Sequence, residues 1–166
     1  MATGRRPRLV LLALVLLAAI QIFHYYPRLP DVVASHFDGA GAPNGWSTRT
    51  LFFAIEAGAV ALAGLLALGA PWLLRVAPRW VNLPHKAHWL GPGRRAATQA
   101  YFDAAFAWFG CALVALLIGV MQLAIRANLG GPPRLNASVM WALLAGFAGF
   151  MVVWLVAFLR RFRAPR

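Results

Sequence analysis

The chain has 166 residues, of which 61% are hydrophobic, and its mean hydropathy of +0.68 is far above that of soluble globular domains. It carries 16 Lys and Arg residues against four Asp and Glu residues, for a net charge of +12. This charge lies in short blocks beside long apolar runs and forms no continuous basic surface, which excludes a nucleic-acid-binding domain.

Four apolar runs are each long enough to cross a membrane, since about 20 helical residues span the roughly 30 Å of hydrocarbon. The first run continues past Ala18-Ala19 into bulky residues, which favours a retained helix over a cleaved signal peptide. No linker indicates a second domain, so residues 1–166 are expected to form a single membrane domain. We predict an all-α integral membrane four-helix bundle, with helices at 9–26, 51–74, 99–126 and 139–159.

The distribution of Lys and Arg predicts the orientation, because cytoplasmic segments retain positive charge during insertion. Three arginines precede the first helix, five basic residues occupy the loop at 75–98, and four arginines follow the last helix. We therefore expect both termini and this basic loop in the cytoplasm, with the loop and the tail against anionic lipid headgroups. The opposite side carries only Arg28, Arg49, Arg126 and Arg134.

The loop at 27–50 is therefore expected outside, and its composition indicates a compact cap. Val32, Val33 and Phe37 are apolar anchors, and several glycines supply the positions that tight turns need. We predict a turn-rich cap, for which a short hairpin is one arrangement. Trp46 is expected at the level of the lipid headgroups.

Two sets of loop residues form motifs. The outer set is Leu29, Pro30, His36, Phe37, Asp38, Gly41, Pro43, Asn44, Gly45 and Trp46, and the inner set is Asn82, Leu83, Pro84, Trp89, Arg94 and Arg95. Both sets resemble bacterial membrane proteins with the domain of unknown function 1648. The outer set is similar to the N-terminal signature of these proteins, and the inner set resembles the cytoplasmic loop after their second helix. The resemblance implies a multipass protein of the bacterial cytoplasmic membrane. One branch, the sporulation-delaying-protein toxin immunity and signalling family, is longer than this chain, and for that branch the resemblance implies immunity or signalling.

Glu56 in the second run is the main candidate for a functional side chain. A charged group in the middle of a membrane helix costs about 2.5–3.5 kcal/mol, so it requires a partner or a function. We predict an outward-facing polar pocket in which Glu56 pairs with His24 or Arg126. A structural Glu56–Arg126 ion pair without a ligand is the alternative, and the sequence leaves both open. The other pocket candidates lie in the outer half of the membrane or in the cap, and they are Gln21, Gln122, His36 and Asp38.

His24, His36, Asp38 and Glu56 also have the chemistry of metal ligands, but their spacing matches no metal motif, so we predict no metal and no cofactor. No catalytic set appears at a recognisable spacing, which argues against an enzyme. We expect either a binding or sensing protein or a signalling protein of the toxin-immunity type, with a peptide or protein partner. A proton- or ion-coupled transporter or accessory subunit using Glu56 is the alternative, and a membrane metalloenzyme is a third class.

Small residues at four-residue spacing occur in the second and fourth runs. Such spacing lets helix backbones approach closely, which predicts tight packing within the bundle, with a homodimer through the fourth helix as the alternative. The pairs are Ala54 and Gly58, Ala57 and Ala61, Ala142 and Gly146, and Ala145 and Gly149.

Overall fold

The structure is a computed structural model that describes residues 5–163. Four of its helices are long and apolar enough to cross a membrane, as the sequence predicted. Each extends beyond its apolar run at one or both ends, because polar and basic residues there continue the helix. The elements in chain order are α1 Arg5–Tyr25, β1 Val32–Phe37, β2 Pro43–Thr48, α2 Arg49–Val76, α3 Lys86–Trp89, α4 Arg95–Leu129 and α5 Ala137–Arg161.

The segment between α1 and α2 contains a two-stranded β-hairpin, which is the short hairpin considered for the cap, and the spanning part of the fold is helical as predicted. β1 and β2 pair antiparallel, with Val32 opposite Thr48 and Phe37 opposite Pro43. The Thr48 side chain accepts a hydrogen bond from the backbone N–H of Leu51 at 3.2 Å, and this caps the start of α2. The second strand therefore leads directly into the second membrane helix.

Helices α1, α2 and α4 form the core of the bundle, and α5 packs chiefly against α4. Across the described part of the chain, no residue of α5 is buried. The structure is thus a three-helix core with a fourth spanning helix on its outside.

The small-residue pairs named above do not form the helix contacts, so the expectation of tight packing through them is wrong. All eight residues are exposed, and among the described atoms a Cβ on Gly58, Gly146 or Gly149 would meet nothing within 4 Å. The close approach instead joins α2 and α4 at another level. A Cβ added to Gly110 would lie 2.5 Å from the Cβ of Ala67, so glycine at 110 is what lets these two helices touch.

Three apolar clusters divide the bundle into levels. The middle cluster includes Ala18, Val60 and Val114, one from each core helix. The cluster at the hairpin end combines Phe52, Phe53, Ala124 and Ile125 with Leu29 and Val33 of the hairpin segment. The cluster at the other end, which we call the arginine-rich end, is formed by Leu74, Leu83, Phe102 and Phe162.

Candidate functional site

A chain of hydrogen-bonded polar side chains joins α1 to α4 between the middle cluster and the hairpin end. Gln21 is buried, and its Nε2 donates to Oε1 of Gln122 at 2.9 Å and to the carbonyl oxygen of Ile118 at 3.2 Å. Gln122 in turn donates from Nε2 to the hydroxyl oxygen of Tyr25 at 3.1 Å. Two helices are thereby fixed to each other by polar contacts within an apolar environment, where such contacts order side chains strongly.

These side chains line an open groove of about 320 Å³ between α1 and α4, which we call the α1/α4 groove. The structure brings Gln21, His24 and Gln122 together here, as the sequence interpretation placed them. Tyr25 was missed, although it lies four residues after Gln21 on the same helix face. The remaining lining residues are apolar, and they are Leu17, Ile20 and Ile118.

Glu56 lies at the same level of the bundle as this chain but on α2. It is one turn from Phe52 and Phe53 of the hairpin-end cluster and one turn from Val60 of the middle cluster. Its exposed fraction is 3%, and within residues 5–163 neither carboxyl oxygen has a hydrogen-bond partner. The Oε1 atom of Gln21 is also buried without a donor. Three oxygen acceptors at one level thus have no donor among the described residues.

The structure does not bring Glu56 together with its predicted ionic partners. Among the described residues, Glu56 forms no ion pair with His24 or Arg126, and the side chains of both candidates are exposed. Neither an ion pair that fixes packing nor one that closes a pocket is therefore formed in this arrangement.

Asp38 lies in the turn of the hairpin and His36 lies in its first strand, and the geometry accounts for the aspartate. Oδ1 of Asp38 accepts hydrogen bonds from the backbone N–H groups of Ala40 and Ala42, each at 2.9 Å, and this closes the turn. His36 is exposed and lies opposite Gly45, where an added Cβ would be 2.8 Å from the Cβ of His36. The carboxylate of Asp38 thus stabilises the turn between the strands.

Asn128, which the sequence interpretation missed, attaches the hairpin to α4. Its Oδ1 accepts from the backbone N–H of Ala34 at 2.8 Å, and its Nδ2 donates to the carbonyl oxygen of the same residue at 2.9 Å. The amide therefore acts as a strand partner for the edge of β1. Ala34 is fully buried, so these bonds satisfy backbone groups that water does not reach.

The tip of the hairpin contacts the loop between α4 and α5. The backbone N–H of Leu135 donates to the carbonyl oxygen of Gly41 at 2.9 Å. Gly41 has φ +84°, and a Cβ at this position would lie 2.1 Å from the carbonyl oxygen of Leu135. Only glycine permits both the turn and the contact.

The other motif residues of the outer set are divided between the core and the surface. Leu29 is buried, Phe37 is half-buried, and both belong to the hairpin-end cluster. Trp46 is 56% exposed opposite Ala34, and Pro30 and Asn44 are exposed. Pro43 begins β2.

The inner motif folds back onto the arginine-rich end. Leu83 is buried in the cluster there, and the carbonyl oxygen of Trp89 accepts from the hydroxyl of Thr98 at 2.9 Å. The guanidinium of Arg161 lies 4.5 Å from the ring centroid of Trp89, which is a cation–π distance. The guanidinium of Arg95 donates to the carbonyl oxygen of Arg75 at 3.2 Å. The remaining motif residues are exposed, and they are Asn82, Pro84 and Arg94.

His88 of α3 lies near other basic groups of this end. Partial desolvation and the charges of Arg94 and His85 lower the pKa of His88 below its ordinary value. Both causes favour the neutral imidazole over the charged form.

Asp103 connects three helices at the arginine-rich end. Its Oδ1 lies 3.1 Å from the guanidinium of Arg8 on α1, and its Oδ2 lies 3.3 Å from that of Arg75 on α2. Gln99 donates to Oδ1 at 3.1 Å. One carboxylate is thus shared between two arginines that the chain order places far apart.

The four metal-ligand candidates are not gathered into one site. Across residues 5–163, no three His, Cys, Asp or Glu side chains lie close enough together to hold a metal ion. His24 lines the α1/α4 groove, Glu56 is buried on α2, and His36 and Asp38 lie in the hairpin.

Comparison with known families identifies one domain in the chain. Residues 12–57 match the family model described as "Domain of unknown function (DUF1648)", and the chain contains this domain. The matched region includes Gln21, His24, the hairpin and Glu56, and it excludes α4 and α5. It covers less than a third of the chain. No curated protein and no solved structure matches the chain.

Proposed function

We propose that this multipass membrane protein is a peptide sensor located in the bacterial cytoplasmic membrane. It binds an apolar peptide in the α1/α4 groove. The observation that carries the proposal is the hydrogen-bonded chain of Gln21, Gln122 and Tyr25 inside an open groove whose other lining residues, apart from His24, are apolar. Amide, imidazole and hydroxyl groups can exchange hydrogen bonds with a peptide backbone, while Leu17, Ile20 and Ile118 contact apolar side chains. A membrane-active peptide is also the ligand that a toxin-immunity role requires.

The proposed orientation places the hairpin outside and the arginine-rich end in the cytoplasm. Most of the basic residues lie at the end opposite the hairpin, which is the arrangement that the positive-inside rule requires. An alkaline phosphatase fusion after residue 40 should therefore be active and one after residue 86 inactive. The opposite pattern would refute the orientation and, with it, a groove accessible from outside.

Helix α4 gives a physical route from the groove to both ends of the protein. Gln122 and Ile118 hold α1 near the groove, Asn128 holds the hairpin, and Asp103 holds Arg8 and Arg75. A ligand that separates α1 from α4 must break the Gln21–Gln122 bond, and the rigid helix then transmits the displacement. The contact has two states, with the Gln21–Gln122 bond formed or broken. A ligand that binds more tightly to the broken state shifts the equilibrium towards it.

Photo-crosslinking in living cells tests the binding site. A p-benzoylphenylalanine at Ile20 in the groove should capture a peptide adduct, and the same group at Val153, an exposed position on α5, should not. Replacing both glutamines by leucine (Gln21→Leu with Gln122→Leu) should abolish the adduct at equal protein abundance. Lipid adducts alone at Ile20, or the same peptide at Val153, would refute the proposal.

A second function, proton- or ion-coupled transport, is favoured by the buried carboxyl group of Glu56, which has no hydrogen-bond or ionic partner within residues 5–163. A carboxylate is costly inside a membrane unless it binds a proton or a cation. Membrane transporters therefore use buried carboxyl groups as coupling sites. Reconstituted wild-type protein should then take up protons under a membrane potential, measured with an enclosed pH dye. Glu56→Gln should remove the flux without lowering abundance, while Asp31→Asn, at an exposed carboxylate of the hairpin segment, should not. A wild-type protein without flux would eliminate this candidate.

A further inference from the structure

We propose that a groove between α1 and α2 at the arginine-rich end binds one anionic phospholipid. The groove has a volume of about 380 Å³, and it is separate from the α1/α4 groove, so this proposal does not rest on the proposed function. Its lining is charged at one end and apolar along its length, and it consists of Arg8, Leu65, Leu68, Gly69, Trp72 and Arg75.

Among the described residues, two arginines at the charged end face one carboxylate, so one positive charge is left uncompensated. Arg8 and Arg75 share the single carboxylate of Asp103, at 3.1 and 3.3 Å, so two guanidinium groups face one negative charge. Their side chains are 46% and 57% exposed, while that of Asp103 is 16% exposed. The N–H groups that Asp103 leaves free therefore face outward, where a phosphodiester of charge −1 would complete the balance.

The apolar part has the length of one membrane leaflet. Leu65 precedes Arg75 by ten residues, which is about 15 Å along a helix and half of the roughly 30 Å hydrocarbon layer. An amphiphile with its phosphate at Arg75 would thus lay one acyl chain along Leu68 and Leu65. Inorganic phosphate would use only the charged end, so the apolar lining favours a phospholipid.

Gly69 and Trp72 shape the apolar part. Among the described atoms, a Cβ at Gly69 would meet nothing within 4 Å, so the missing side chain leaves a free channel along the helix. Trp72 is 60% exposed beside it, at the depth where indole rings lie among headgroups. A large side chain at position 69 would fill the channel and leave both arginines unchanged.

Native mass spectrometry of the full chain provides the test. Protein released from nanodiscs of equal phosphatidylglycerol and phosphatidylethanolamine should retain one phosphatidylglycerol, with a preference of about tenfold or more over the zwitterionic lipid, as one extra ionic contact of about 1.4 kcal/mol gives. Gly69→Leu should lose this lipid, while Gly58→Leu, at an equally open position of the same helix, should keep it.

The arginines are tested in the same assay. The double substitution Arg8→Gln with Arg75→Gln should abolish the preference, and Arg160→Gln with Arg163→Gln, at exposed arginines of the same end, should not. Because the first pair also leaves Asp103 without its ionic partners, the Gly69→Leu result decides the outcome if that variant fails to fold. Equal retention of both lipids, equal behaviour of the two leucine variants, or displacement by millimolar inorganic phosphate would overturn the proposal.

Discussion

Replacing Asn128 by leucine should detach the hairpin from α4 while leaving the helix itself intact. Leucine has a similar size, so the change removes hydrogen bonds without opening a large cavity. The side chain makes three such bonds, two to the backbone of Ala34 at 2.8 and 2.9 Å and one to the carbonyl oxygen of Ala124 at 2.9 Å. The carbonyl oxygen of Ala124 still accepts a hydrogen bond within α4. Only the backbone groups of Ala34 therefore lose their hydrogen-bond partners.

The magnitude follows from the burial of Ala34, whose exposed fraction is 0%. Its N–H and C=O groups would both be left without a partner, at about 1–3 kcal/mol for each buried group. The expected destabilisation of the hairpin is therefore about 2–6 kcal/mol. At the lower limit of about 2 kcal/mol, a local opening reaction becomes about 30-fold more frequent.

Hydrogen exchange of the Ala34 amide measures this effect directly in detergent-solubilised protein. The Asn128→Leu variant should exchange this amide at least about 30-fold faster than the wild type, with unchanged exchange in the centre of α4. Asn82→Leu, at an exposed position of the inner loop, serves as the control and should leave the Ala34 amide protected. An unchanged Ala34 rate in a folded Asn128→Leu protein would show that the amide bridge does not hold the strand.

Two glycine substitutions test backbone contacts. Gly41→Ala should destabilise the protein by about 1–3 kcal/mol, because it strains a positive φ and displaces the carbonyl oxygen of Leu135, whereas Gly39→Ala, with open space around it, should be nearly neutral in thermal unfolding. Gly110→Ala should cost about 1–3 kcal/mol by overpacking against Ala67, and Gly146→Ala should not; equal unfolding temperatures for these two variants would contradict the α2–α4 contact.

The polar site was only partly predictable from the chain. Gln21, His24 and Gln122 could be placed near one another because membrane helices of known length put them at the same depth. That argument uses depth alone and does not say how each helix is rotated about its axis. Arg126 shares the depth but is exposed, and Glu56 is buried by the α2 face that packs in the core. Rotation therefore decided which of the candidates meet.

The hairpin shows the same division. Its glycines indicated tight turns from the sequence, whereas Asp38, whose carboxylate accepts the hydrogen bonds of the turn, was assigned to the pocket. Its attachment could not, because Asn128 lies more than ninety residues after Ala34. Asn128 also falls just beyond the end of the apolar run, where a polar residue is ordinarily taken as part of a loop.

The amino-acid sequence by itself determined that four segments are long and apolar enough to cross a membrane, because hydropathy and length are local properties of each segment. The distribution of Lys and Arg residues beside these segments likewise predicts the orientation that we propose. Only the tertiary structure decided that α5 lies outside the core, that Gly110 rather than the obvious small-residue pairs forms the close contact, and that Asp103 is shared by Arg8 and Arg75. A helix surrounded by lipid is apolar on its exposed face as well as on its buried face. The pattern of hydrophobic residues therefore does not show which face is buried, and helix packing decides it.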